Sequence, residues 1–205
     1  MYRKLFVLGL IVSVATLFAN NSKIASDINK KGEPWYASGT KTGFHTLQTI
    51  LLFEDFETGV LPPGWTTVDG NGDGFTWGVV TSAGWHYNAM PPDPGDYIAA
   101  YDDDAIGYNP ATDEELITPA VYTGNLTEDS LLILVYGFGY QNLAGYDTFA
   151  VKVRSHNGTS WGDWQIVALY DYDVGSSAWD TLDLSSFLPA DSVQVMFAWW
   201  VIKKV

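Results

Sequence analysis

Between Thr42 and Val151 the chain has no Lys and no Arg, yet it carries Glu54, Asp55, Glu57, Asp69, Asp73, Asp93, Asp96, Asp102, Asp103, Asp104, Asp113, Glu114, Glu115, Glu128, Asp129 and Asp147. Carboxylates gathered by folding without basic partners must stay solvated, take up protons or share a cation. The densest groups are Asp69-Gly-Asn71-Gly-Asp73-Gly and Asp102-Asp103-Asp104, set among Gly, Pro and Asn. Hard oxygen donors on tight turns are the ligands that Ca²⁺ takes. The pattern points to a calcium-stabilised domain before it points to catalysis.

Asp69-x-Asn71-x-Asp73-Gly74 repeats the first half of an EF-hand loop, where alternate positions donate side-chain oxygens and Gly permits the sharp turn. The twelfth position is Val80 and no helical pattern flanks the loop, so it is no EF-hand; a cation site and a solvated turn both fit it. Glu54, Asp55 and Glu57 close the first expected strand. Alternation puts Asp55 and Glu57 on one face, from which they could meet Asp102, Asp103 and Asp104 across a sheet edge. Ordinary surface acidity is the other reading of that set.

Trp85-His86-Tyr87 precedes a Pro-rich loop and offers flat apolar rings with polar tips, the makings of a sugar-stacking platform; core packing is the alternative. His45, His86 and His156 are isolated and give no metal-ligand spacing. The chain has no Cys, hence no thiol nucleophile, and it has neither a Gly-x-Ser-x-Gly elbow nor a phosphate-cradling Gly loop with Lys. No catalytic residue is assigned. A glycoside hydrolase needs only two suitably spaced carboxylates and stands as the enzymatic alternative, although Glu54-Asp-Phe-Glu57 lacks the Glu-x-Asp-x-x-Glu pattern of β-jelly-roll endoglucanases.

The formal charge of −14 argues against nucleic acid and anionic membranes as partners. At 47% hydrophobic and 15% aromatic residues the chain is folded, not an acidic disordered segment. Residues 1–19 read as a secretory signal, with Arg3 and Lys4 ahead of the apolar stretch Leu5 to Phe18, and Ala19 before the cut; a retained anchor helix is the alternative, for which the stretch is short. No other segment is apolar enough to span a membrane, so no span is expected once the signal is removed. Without Cys an exported domain has no disulfides and must rely on packing and bound metal.

Residues 20–45 form a polar linker or loosely ordered N-terminal segment, and residues 46–205 form the folded domain. Its expected strands are Leu47–Phe53, Phe75–Val80, Tyr97–Tyr101, Leu131–Phe138, Thr148–Arg154, Trp164–Leu169, Trp179–Leu184 and Val193–Val201, separated by Gly, Pro and Asn turns. Phe149, Val151 and Val153 alternate with polar residues, as do residues Val193 to Trp199 on their own period of two. Many short strands with such turns predict an all-β, antiparallel sandwich of jelly-roll type. Trp65, Trp77, Phe138, Phe149, Val151, Val153, Val195 and Phe197 are the expected core.

Phe53-Glu-Asp-Phe-Glu57-Thr-Gly, followed by Leu61-Pro-Pro-Gly-Trp65 and the Asp69–Trp77 loop, resembles the opening of the cleaved-adhesin or "choice-of-anchor J" domains. These are similar to MAM-type jelly rolls and belong to bacterial surface and secreted proteins. Glu115-Leu-Ile-Thr-Pro119 and Ser177-Ala-Trp179-Asp-Thr-Leu-Asp-Leu-Ser-Ser-Phe187 resemble two later blocks of the family. The resemblance covers residues 50–200. It implies an exported, non-catalytic adhesion module that binds a glycan or an extracellular protein, with further domains of a longer parent protein beside it. A purely structural spacer is the other outcome. It also implies a structural Ca²⁺ linking the first strand to a distant acidic turn. The family's final strand is missing after Trp199-Trp-Val-Ile-Lys-Lys-Val205, so a truncated jelly roll is expected, with Val193–Val201 unpaired on one side.

Overall fold

Phe149, Val151 and Val153 are fully buried, while Lys152 and Arg154, alternating with Val151 and Val153, are partly exposed, so a period of two in the sequence becomes one buried face of a strand. The structure is a computed structural model that describes residues 6–11, 14–15, 48–85, 89–102, 113–142 and 147–201. Its strands are β1 (Phe6–Ile11), β2 (Val14–Ala15), β3 (Gln48–Thr49), β4 (Thr66–Asp69), β5 (Gly78–Thr81), β6 (Tyr97–Tyr101), β7 (Asp113–Ile117), β8 (Val121–Tyr122), β9 (Ile133–Tyr140), β10 (Asp147–His156), β11 (Gln165–Tyr170), β12 (Gly175–Asp183) and β13 (Ser192–Val201).

They form two antiparallel sheets, ordered β12-β9-β1-β6-β5 and β11-β10-β13-β7-β4, with β8 pairing beside β7 on β13. The strands β2 and β3 make a separate two-stranded pair. The sheets meet through aromatic rings: Phe138 of the first lies 5.7 Å from Phe149 of the second, and Tyr136 lies 5.7 Å from Phe197. All eight residues expected in the core are buried there. The antiparallel β-sandwich is therefore as the sequence predicts. No helix among the described residues is long and apolar enough to cross a membrane.

Three differences carry physical content. Of the strand expected over Leu47–Phe53, only Gln48–Thr49 pairs among the described residues, and beyond it Glu54 and Asp55 accept the backbone N–H groups of Phe56 and Glu57 at 2.7 and 3.1 Å and turn the chain. Val193–Val201 does not lack a neighbour: β10 pairs along one side of β13, and β7 and β8 pair along the other. Phe197 and Trp199 are buried accordingly. The segment that reads as the apolar part of an export signal supplies β1, which lies between β6 and β9.

Candidate metal centre

In the antiparallel pair β4–β7, Asp69 stands directly opposite Glu114. Residues opposite one another share a sheet face. Glu114 alternates with Leu116, a core residue, so its side chain belongs to the inner face of the sandwich and is fully buried. On its other side it pairs with the buried Trp199 of β13. Like charges opposite one another in a sheet are destabilising, and a buried carboxylate adds the cost of lost hydration.

The loop after β4 brings in a third acid. Asp69 wraps it from within: Oδ1 accepts the N–H groups of Gly72 at 2.6 Å and Asp73 at 3.1 Å, and Oδ2 accepts that of Gly74 at 2.7 Å. Asn71 Oδ1 accepts the Asp73 N–H at 3.0 Å, and its amide donates to Asp73 Oδ2 at 2.9 Å. Gly72 and Gly74 have φ of 74° and 87°, the left-handed backbone that lets so short a loop curl. Gly70 donates to the Asp113 carbonyl at 2.8 Å and locks the loop to β7.

One carboxylate oxygen from each of Asp69, Asp73 and Glu114 lies within 4.8 Å of the others. Oxygens sharing a Ca²⁺ at about 2.4 Å are at most about 4.8 Å apart, so the spacing suits one ion. The donors are all hard oxygens. Neither Glu114 oxygen accepts a well-formed hydrogen bond among the described residues. The Thr76 hydroxyl beside it donates instead to the Val68 carbonyl at 3.3 Å. The Glu114 carboxyl is pushed up to about 7, chiefly by burial and further by the charges of Asp69 and Asp73, with Thr76 and the Asp113 backbone offsetting part of the rise.

Lys152 and Arg154, the only Lys and Arg among the described residues, give this centre no counter-charge. Their charges act on Glu115, which pairs with Ala198 and so belongs to the opposite face of β7. There Lys152 lies over the Trp200 ring at 4.9 Å, and Arg154 lies over Trp161 and Trp164 at 4.6 and 4.4 Å.

Asp69, Asn71 and Asp73 are thus brought together as one loop, and Glu114 is added to them. Sequence reasoning passed over Glu114, although its spacing from Leu116 and Thr118 is the alternation that marks an inward face. Glu57 is placed elsewhere. Its Oε1 accepts the N–H groups of Asp96 at 3.0 Å and Tyr97 at 3.3 Å, clamping the start of β6. Asp102 follows the other end of β6, about 17 Å away at the strand's rise per residue. The structure therefore does not bring Glu57 and Asp102 together. Asp55 is a turn acceptor for Glu57, and Asp103 and Asp104 lie outside the described residues. Trp85 packs with Val80 and Met90 against Ile98 and Ala100, while His86 and Tyr87 lie outside the described residues.

The family model described as the Cleaved Adhesin Domain matches residues 49–193. No curated protein matches the chain. Among solved structures, the K1 cleaved adhesin domain of Lys-gingipain (Kgp) from Porphyromonas gingivalis W83 is similar at 19% identity, covering 71% of this chain and 94% of that one with a TM-score of 0.47.

Proposed function

The chain belongs to the Cleaved Adhesin Domain family, and on that premise we propose that it is an exported, calcium-stabilised adhesion module that binds a glycan or an extracellular protein and performs no catalysis. The observation that carries the calcium reading is the buried Glu114 opposite Asp69, joined by Asp73 within the span of one ion and with no basic partner. Two ionised carboxylates at that separation repel by about 3 kcal/mol at an effective dielectric of about 20. A divalent cation turns the repulsion into attraction and supplies the charge that Glu114 lacks. In this reading Asp69, Asp73 and Glu114 hold the ion, Asn71 shapes the loop, and the ion ties β4 to β7 at one end of the inner face.

The apolar stretch after Arg3 and Lys4 supports export, and family membership supports a surface or extracellular role. Trp85, His86 and Tyr87 are the proposed ligand contacts, of which Trp85 is seated in the cluster with Val80 and Met90. Calorimetric titration of Ca²⁺ into the chelator-treated chain tests the metal. A single site of the wild-type protein that disappears in Glu114→Gln supports the reading, and no heat in either protein refutes it. A glycan array and a pull-down with matrix proteins test the ligand, since a structural spacer retains nothing.

A raised carboxyl beside ionised ones is also the signature of a glycosidase acid. Burial speaks against that role for Glu114: it is fully enclosed, and a general acid has to reach the glycosidic oxygen. Hydrolysis of a polysaccharide by the wild type and its loss in Glu114→Gln would reverse that judgement.

A further inference from the structure

The strand β1 is set between two partners to which no short connection ties it. It pairs antiparallel with β6, from Phe6 opposite Tyr101 to Leu8 opposite Ala99, and with β9, from Phe6 opposite Tyr140 to Ile11 opposite Val135. The nearest strand of its own sheet in sequence is β5, which begins at Gly78. β1 also falls wholly inside the apolar stretch that reads as an export signal.

Without β1, β6 and β9 would face each other across a lane about two strand spacings wide, near 10 Å. Each wall would present a row of backbone N–H and C=O groups without partners. The lane has a floor, because Tyr136, Phe138 and Tyr140 of β9 and Ala99 and Tyr101 of β6 belong to the core cluster. It also has a roof. A Cβ at Gly137 would lie 2.9 Å from Pro92 Cδ, and one at Gly139 only 2.3 Å from the Met90 backbone nitrogen. Met90 and Pro92 belong to the connection from β5 to β6, so to touch β9 they must pass over the lane between. An apolar, roofed lane walled by backbone hydrogen-bonding groups cannot be left to water at low cost, and it has the dimensions of one extended strand.

We propose that the lane between β6 and β9 is a strand-acceptor site which, once Phe6–Ile11 has left with the export signal, takes an extended apolar strand from another polypeptide. Strand addition of this kind draws affinity from main-chain hydrogen bonds and selectivity from alternate side chains. The register defines the donor. It needs bulky apolar residues opposite Tyr140, Phe138 and Tyr136, where Phe6, Leu8 and Leu10 stand here, and a small residue opposite Gly137, where Gly9 stands. A second copy of the chain offers no donor, since it has lost the same segment. The proposal rests on the export reading made above for its occasion, and the binding it describes can be measured without export.

The full chain, with a protease site inserted after Lys31, is cut in the folded state and incubated with a fluorescent synthetic peptide of residues Arg3–Ser13. A control peptide carries Leu8→Asp and Leu10→Asp. The labelled peptide should exchange into the nicked complex and co-elute with the domain, with the control at least tenfold weaker. A photo-crosslinker at position 8 should capture residues near Phe138 and Ala99, which no indiscriminate apolar binding would select. Exchange in the nicked complex decides the matter even where the stripped domain unfolds. Equal retention of both peptides, or no uptake of either, overturns the proposal. N-terminal sequencing of the exported protein checks the export reading separately.

Discussion

Asp69 and Glu114 face each other across the β4–β7 pair, one at the mouth of a Gly-rich loop and the other fully buried beside Trp199. A sheet does not ordinarily set two carboxylates opposite one another on its inner face. The repulsion and lost hydration of this arrangement imply a pH-dependent stability, and the proposed cation would offset both.

The pH dependence has a definite sign. The Glu114 carboxyl has the ordinary glutamate value near 4.5 when unfolded and is pushed up to about 7 by burial when folded without metal. Below the lower value both states hold the proton, and the group has no effect. As pH rises from about 4.5 to 7 the unfolded chain releases its proton while the folded one keeps it, so stability falls across that window and stays lower above it. The full shift corresponds to about 3 kcal/mol. Denaturant melts of the chelator-treated protein at pH 5 and pH 8 should show this loss, and Glu114→Gln should remove most of it.

Glu57 has a structural role that can be separated from metal binding. Glu57→Ala should cost about 1 kcal/mol through the lost acceptor for Asp96 and Tyr97, with exposure keeping the figure small. Its Ca²⁺ affinity should equal that of the wild type. A calorimetric affinity that falls tenfold would return Glu57 to the metal site.

Gly95 lies against the same clamp. Its φ is +59°, and a Cβ there would sit 1.9 Å from Glu57 Oε1. Gly95→Ala should destabilise by about 1–2 kcal/mol from the left-handed backbone alone, with displacement of Glu57 adding to it. In the double variant with Glu57→Ala the two effects should be less than additive, which a thermodynamic cycle on urea melts would read.

The inner face of β10 sets the scale for core damage. Phe149 is fully buried and meets Phe138 and Tyr140 of the facing sheet at ring-centroid distances of 5.7 and 6.1 Å. Phe149→Ala should cost about 3–5 kcal/mol. A loss below 1 kcal/mol in a urea melt would show that the two sheets are not held together at this point.

The sequence was most readable where one physical cause dominated. Phe149 to Val153 and Val193 to Trp199 announce their faces by alternation, and the eight core residues follow from it. It was least readable where side chains bind backbone. Glu54 and Asp55 turn the chain just after the apolar run Leu47 to Phe53, and nothing in their spacing says which N–H groups they will accept. Asp113-Glu-Glu115 looks like a solvated acidic cluster, yet pairing with β4 and β13 makes it a strand and divides its acids between two faces. Glu114 was therefore overlooked although its loop partners Asp69, Asn71 and Asp73 stood out. The place of Phe6–Ile11 depends on lane geometry between β6 and β9, which local sequence does not encode.

We propose that Asp69, Asp73 and Glu114 share a Ca²⁺ that holds β4 to β7. The most direct test is the melting temperature of the wild type and of Glu114→Gln, each in excess EDTA, in saturating Ca²⁺, and in NaCl of equal ionic strength. At about 100 times Kd the ion should add about 2.7 kcal/mol, or roughly 5–10 °C for a domain of this size. That rise should appear for the wild type with Ca²⁺ alone and be lost in Glu114→Gln. A wild-type curve that EDTA leaves unmoved, or one that NaCl raises as far as Ca²⁺ does, would contradict the account.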